Sequence, residues 1–248
     1  MPLLTHVITG FLGAGKTTLI SALLARKPVS ERWAILVNEF GQIGIDQVAW
    51  SGDDVMIREV PGGCICCAQN LPLQIALGQI ATRSGAQRLL IEPTGLGHPA
   101  QILETLREPH WQAHLQVGAT LCLVDARQLD DARVTTNETF RAQVEVADVL
   151  LFSKADLLDA DSRARAGAFA AGLHPAKTLV AFASEQEVDP AWLDVPPRQP
   201  LRQRRSLLHL RPSGQVGEVA VVVPRDPPYH YHEQADSHGE QRGVGGWI

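Results

Sequence analysis

Lys16 and Thr17 close the stretch GFLGAGKTT (residues 10–18), in which Gly10 and Gly15 fall at the spacing G-x-x-x-x-G-K-[ST] and Gly13 lies between them. That pattern suits one kind of chemistry. Backbone N–H groups of small residues curl around phosphate oxygens, a lysine ammonium supplies a point charge to the β and γ groups, and a hydroxyl reaches Mg²⁺. With Thr18 continuing the turn, Gly10, Gly13, Gly15, Lys16, Thr17 and Thr18 are candidate nucleotide-binding residues, and Lys16 is also a catalytic candidate. The bland alternative is a glycine turn leading into an ordinary helix. The apolar run before the motif and the helix-compatible run after it favour the phosphate loop, which needs a strand on one side and a helix on the other.

A metal-facing acid should end a neighbouring strand. LLIEPTG (89–95) offers Glu92 at the end of an apolar run and then Gly95, whose N–H can sense a γ-phosphate, so Glu92 is expected on Mg²⁺ and in catalysis. The base is addressed by FSKAD (152–156), which follows an apolar run and has the form N-K-x-D with Ser153 in the Asn place. Asp156 can accept two hydrogen bonds from guanine N1 and N2 groups that adenine does not offer, and the Lys154 stem can lie along a purine ring. A serine helix cap beside an incidental acid is the competing reading.

GGCICC (62–67) puts Cys64, Cys66 and Cys67 within four positions of a chain whose other cysteine is Cys122. Thiolates at i, i+2 and i+3 can present several soft donors to one Zn²⁺ ion, which takes about four ligands. Buried structural cysteines and a redox or peroxide-sensing cluster remain open as alternatives. A disulfide network is disfavoured, because neighbouring cysteines close strained rings.

The elements that must hold these residues follow from periodicity. THVITG (5–10), WAILVN (33–38), RLLIEP (88–93), ATLCLVD (119–125), DVLLFS (148–153) and KTLVAF (177–182) are almost continuously apolar, as strands covered on both faces should be. Helix-compatible stretches at 16–26, 70–83, 98–107, 136–146 and 161–172 alternate with them, which predicts an α/β fold with a doubly wound, mostly parallel sheet. The expected organisation is a nucleotide-binding domain over 1–190, then a linker and His-bearing segment over 191–240 that includes a strand candidate at 218–223. Residues 241–248 read as the start of a truncated C-terminal domain.

The chain's 248 residues, 45% hydrophobic, can bury a sizeable core, while a net charge of −5 gives no general attraction to nucleic acid. The N-terminus lacks a secretion-signal pattern, and no run approaches the roughly 20 apolar residues of a membrane helix, so no membrane association and a cytoplasmic location with reduced thiols are expected.

GFLGAGKTT, VNEFGQIGID, GGCICC, IEPTGLGHP and SKAD, in that order, resemble the CobW-type family of P-loop metallochaperone GTPases, and within it the YeiR-like zinc-binding GTPases. The resemblance covers residues 3 to about 185. It implies GTP/GDP, Mg²⁺ and Zn²⁺ as ligands, slow unassisted GTP hydrolysis, and a zinc site at Cys64, Cys66 and Cys67 that tightens with GTP and passes metal to a metal-dependent client protein. Glu39 and Asp46 in NEFGQIGID are switch candidates, either of which could reach Mg²⁺ through water or complete the thiolate site. Asp46 is taken as the Mg²⁺ candidate and Glu39 as the fourth zinc ligand, against a plain reading as loop acids that fix turns. Val37 and Gln42 stand where some members carry further acids, and His230, His232 and His238 resemble His-bearing stretches that gather metal. A homodimer is a further expectation. A nucleotide-stabilised metal buffer and a nickel-insertion accessory GTPase are the alternative functions.

Overall fold

Consecutive strand residues point to opposite faces of a sheet, so an unbroken apolar run needs cover on both sides. The structure, a computed structural model, describes residues 2–37, 55–59, 71–96, 98–184 and 186–198, and shows how that cover is supplied. Among the described residues the chain runs β1 (Leu3–Gly10), α1 (Lys16–Arg26), β2 (Trp33–Val37), β3 (Val55–Glu59), α2 (Leu71–Arg83), β4 (Arg88–Glu92) and α3 (Pro99–Leu106). It continues through β5 (Leu115–Asp125), α4 (Ala132–Thr135), α5 (Glu138–Val146), β6 (Val149–Ser153), α6 (Ala160–Ala171) and β7 (Leu179–Phe182). The strands form one sheet in the order β3-β2-β4-β1-β5-β6-β7, with every pairing parallel.

The alternation is visible residue by residue. Ile8, Ile35 and Leu90 pack with Ile20 and Leu23 of α1, whereas their neighbours Val7, Leu36 and Ile91 pack with Leu77 of α2 and Leu103 of α3. A third cluster joins Phe140 and Val144 of α5 to Phe152 of β6, Ala166 of α6 and Cys122 of β5. Burial pushes the Cys122 thiol up to about 12, so this cysteine packs as a neutral apolar group.

The chain leaves β1 toward β2 and β3 on one side and later builds β5, β6 and β7 on the other. Their carboxyl ends therefore open a crevice beside β1, where doubly wound sheets bind ligands.

Three features depart from the sequence expectations. β3 was not expected, because Arg58 and Glu59 interrupt its short apolar run; among the described strands it pairs only with β2. The helix expected over 136–146 is α5, started by Asn137, whose side-chain oxygen accepts from Thr139 N at 2.9 Å, but the short α4 that precedes it was not expected. The domain boundary expected at 190 falls inside a packed segment. A 3₁₀ turn at Pro190–Asp194 buries Trp192 and Leu193 against Ile8 and Leu121, Asp194 pairs with Arg88 at 2.7 Å, and Arg198 N donates to Asp148 at 2.8 Å. The compact unit that holds these residues is Met1–Leu201. Residues 218–223 and 241–248 lie outside the described residues.

Candidate nucleotide site

β1 ends at Gly10, where a Cβ atom would fall 2.6 Å from the Leu123 carbonyl oxygen of β5, so only glycine fits between these strands. Gly13 and Gly15 have φ of 72° and 91°, and nothing lies within 4 Å of where their Cβ atoms would project. The loop thus curls through left-handed backbone around open space. α1 starts at Lys16 directly after Gly15, with no side-chain cap, so its first N–H groups are available to an anion.

Lys16 and Glu92 lie buried or half-buried at the mouth of this loop. Lys16 Nζ donates to Gly10 O at 3.1 Å, and Thr17 Oγ1 donates to Glu92 Oε1 at 3.0 Å. Burial lowers the Lys16 ammonium below its usual range, against an opposing pull from Glu92. Burial also raises the Glu92 carboxyl, with Lys16 and the Thr17 hydroxyl working the other way. Both groups therefore gain from an added ligand: phosphate oxygens answer Lys16, and a hard cation answers the adjoining oxygens of Thr17 and Glu92. The donor set fits Mg²⁺.

The turn after β4 is wedged against the loop. A Cβ on Gly95 would come 2.8 Å from Leu12 Cδ2 and 3.1 Å from Leu12 N, and the Gly95 carbonyl accepts from Gln143 Nε2 of α5 at 3.0 Å.

A pocket of about 350 Å³ extends from Gly15 and Thr18 to Ser153, Lys154 and Asp156, and is closed by Ala183 and Ser184 after β7. Lys154 adopts a left-handed backbone (φ 55°), and its Nζ reaches Asp125 Oδ2 at 2.9 Å. Arg127 grips the same carboxylate through Nε at 2.9 Å and a terminal nitrogen at 2.8 Å. Burial opposes ionisation of Asp125, but the bonds from Arg127 and Lys154 outweigh it and hold the carboxyl at about 2. The glycine-rich loop at one end and Lys154 and Asp156 at the other bound a single cleft of a size suited to a small ligand.

The family profile "CobW/HypB/UreG, nucleotide-binding domain" matches residues 4–180. The chain belongs to this family. Zinc chaperone YeiR of Escherichia coli (strain K12) is 48% identical over 152 residues, covering 61% of this chain and 46% of YeiR. Zinc chaperone CobW of Pseudomonas aeruginosa is 32% identical over 213 residues, covering 73% of this chain and 56% of that protein. The crystal structure of Zn(II)-bound YjiA GTPase from E. coli shares the fold at a TM-score of 0.56 and 20% identity, over 81% of this chain and 66% of that one. This CobW/HypB/UreG chain spans about half the length of the curated relatives it matches.

Of the residues singled out in the sequence, the fold brings Gly10, Gly13, Gly15, Lys16, Thr17, Thr18, Glu92, Gly95, Lys154 and Asp156 to one edge of the sheet. Glu39, Gln42, Asp46, Cys64, Cys66, Cys67, His230, His232 and His238 lie outside the described residues. Val37, only 2% exposed, ends β2 in the core. Among the described residues no group of three or more His, Cys, Asp or Glu side chains is gathered for a metal, and no helix is long and apolar enough to cross a membrane. Asp125, Ser184 and Gln186 line or support the pocket and were missed in the sequence. Asp125 was findable in principle, since it ends an apolar run as Glu92 does.

Proposed function

We propose that this chain is a zinc-binding GTPase acting as a metallochaperone, in which the nucleotide state sets how tightly a thiolate site at Cys64, Cys66 and Cys67 holds zinc destined for a client protein. GTP enters with its phosphates over Gly13–Gly15 and its base toward Lys154 and Asp156. Lys16 moves from the Gly10 carbonyl to the β and γ oxygens, and the Thr17 hydroxyl turns from Glu92 to the nucleotide side. Bound Mg²⁺ supplies charge neutralisation at the phosphates, and Thr17 and Glu92 are the residues that hold it, with Asp46 a further candidate. Gly95 offers its N–H at the γ end of the loop. Gln143 donates to the Gly95 carbonyl and braces the turn, and no glutamine directly follows EPTG to orient water, so unassisted turnover is expected well below about 1 per second.

The observation that carries coupling is a register. Val37 pairs with both Glu59 and Glu92 across adjacent strands, so three neighbouring strands end level with the Mg²⁺-side acid. Glu39 follows Val37 by two residues and Cys64 follows Glu59 by five, which at about 3.5 Å per residue keeps the first thiol within roughly 18 Å of that strand end. A thiolate site within that reach of the strand ends would respond to nucleotide-dependent ordering at the γ-phosphate. The zinc chaperone names of the similar proteins support zinc as the cargo. The test is zinc titration of the purified chain with GDP and with a non-hydrolysable GTP analogue: tighter zinc binding with the analogue is expected. Equal affinity in both states would make the protein a nucleotide-stabilised metal buffer.

A further inference from the structure

The pocket's far wall depends on a residue that touches no base. Asp125 closes β5 with its side chain 1% exposed, and Lys154 reaches back to it at 2.9 Å. That bond fixes both ends of the Lys154 side chain, so its stem stands as a wall of the pocket. The backbone follows: Lys154 caps the 3₁₀ turn Ala155–Leu157 from a left-handed conformation, and Leu157 N donates to Lys154 O at 3.0 Å. Asp156, the base-reading acid, sits in the middle of that turn. The neighbouring position supplies no such tether. Ser153 is 5% exposed, and its Oγ has no hydrogen-bond partner among the described residues.

We infer that Asp125 is a positioning residue for base selectivity, anchoring Lys154 so that the turn presents Asp156 to guanine, a task that the short, unpartnered Ser153 does not perform. This rests on the guanine-nucleotide reading above. The physical reason is preorganisation: a free lysine stem samples many rotamers, and ordering it at the moment of binding would oppose affinity. Arg127 contributes by keeping the Asp125 carboxylate ionised and aligned with two bonds of its own.

The experiment titrates the full chain with fluorescent GDP and ADP, and with pyrophosphate as a ligand for the phosphate loop alone. Asp125→Asn keeps the shape and the oxygen that accepts from Arg127 N, but removes the charge. Lys154→Met keeps the apolar stem and removes the ammonium. Each is expected to lower the GDP-over-ADP preference at least tenfold, to change pyrophosphate affinity less than twofold, and to give no further loss when combined. A purely structural role for Asp125 would weaken all three ligands together and leave the preference standing. Should Asp125→Asn fail to fold, Lys154→Met decides alone, since Lys154 is the more exposed partner. A preference within twofold of the unsubstituted chain in the folded variants overturns the inference while leaving the guanine reading in place. An unsubstituted chain that does not distinguish GDP from ADP overturns both.

Discussion

The Thr17 hydroxyl donates to the Glu92 carboxylate at 3.0 Å and favours its ionised form, but burial works against that charge more strongly, so an added cation would be welcome there. Burial raises the folded pKa of Glu92 above its unfolded value, so its favourable contribution to stability is present below the ordinary carboxylate range. It is lost as pH rises through the folded pKa. Glu92→Gln imitates the neutral acid. Nucleotide-free unfolding in denaturant at pH 7 should show this variant as stable as the parent or more so, by up to about 1 kcal/mol, while single-turnover GTP hydrolysis falls by roughly 100-fold or more. A variant that is destabilised yet hydrolyses GTP normally would show Glu92 to be a structural acid. Lys16→Ala should remove productive GTP binding, measured by the same titration, because it deletes the charge on the β and γ phosphates without opening the core.

At the level of elements, what was legible depended on whether a residue's partner lies nearby in the chain. The phosphate loop reads from sequence because Gly10 to Thr17 carry their own geometry, and the interior strands read because burial on both faces makes them continuously apolar. The stretch from residue 191 onward reads as a linker because its prolines and charges signal a loop. Its packing depends on Trp192 meeting the α1 face and on Asp194 and Arg198 meeting Arg88 and Asp148, more than 40 positions earlier in each case. Asp125 was overlooked for the same reason, its meaning lying in Lys154, 29 positions later. Trp192 is therefore predicted to be part of the nucleotide domain's core. Trp192→Ala should cost about 3 kcal/mol or more in denaturant unfolding, through lost burial and a cavity. A loss below about 0.5 kcal/mol would return residues 190–198 to the status of a linker.

For the whole molecule, the decisive question is whether metal and nucleotide share one free energy. If nucleotide orders the segments that follow β2 and β3, it changes the geometry of any thiolate ligand set carried there, and linkage then requires zinc to tighten the GTP analogue by the factor by which the analogue tightens zinc. Linked sites of this kind differ by about 1–3 kcal/mol, or roughly 5- to 150-fold, which isothermal titration in both orders can resolve. Thiols must lose protons to bind, so zinc affinity should fall as pH is lowered from 8 to 6 and binding should release protons to the buffer. Replacing Cys64, Cys66 and Cys67 together by serine is expected to abolish tight zinc binding and the coupling, while GTP-analogue affinity stays within a few-fold, because Lys16, Thr17, Lys154 and Asp156 are untouched. Cys122 cannot substitute for them, with its thiol fully buried and pushed up to about 12. Nucleotide-dependent zinc binding that survives the triple replacement would remove the thiols from the site and turn attention to His230, His232 and His238.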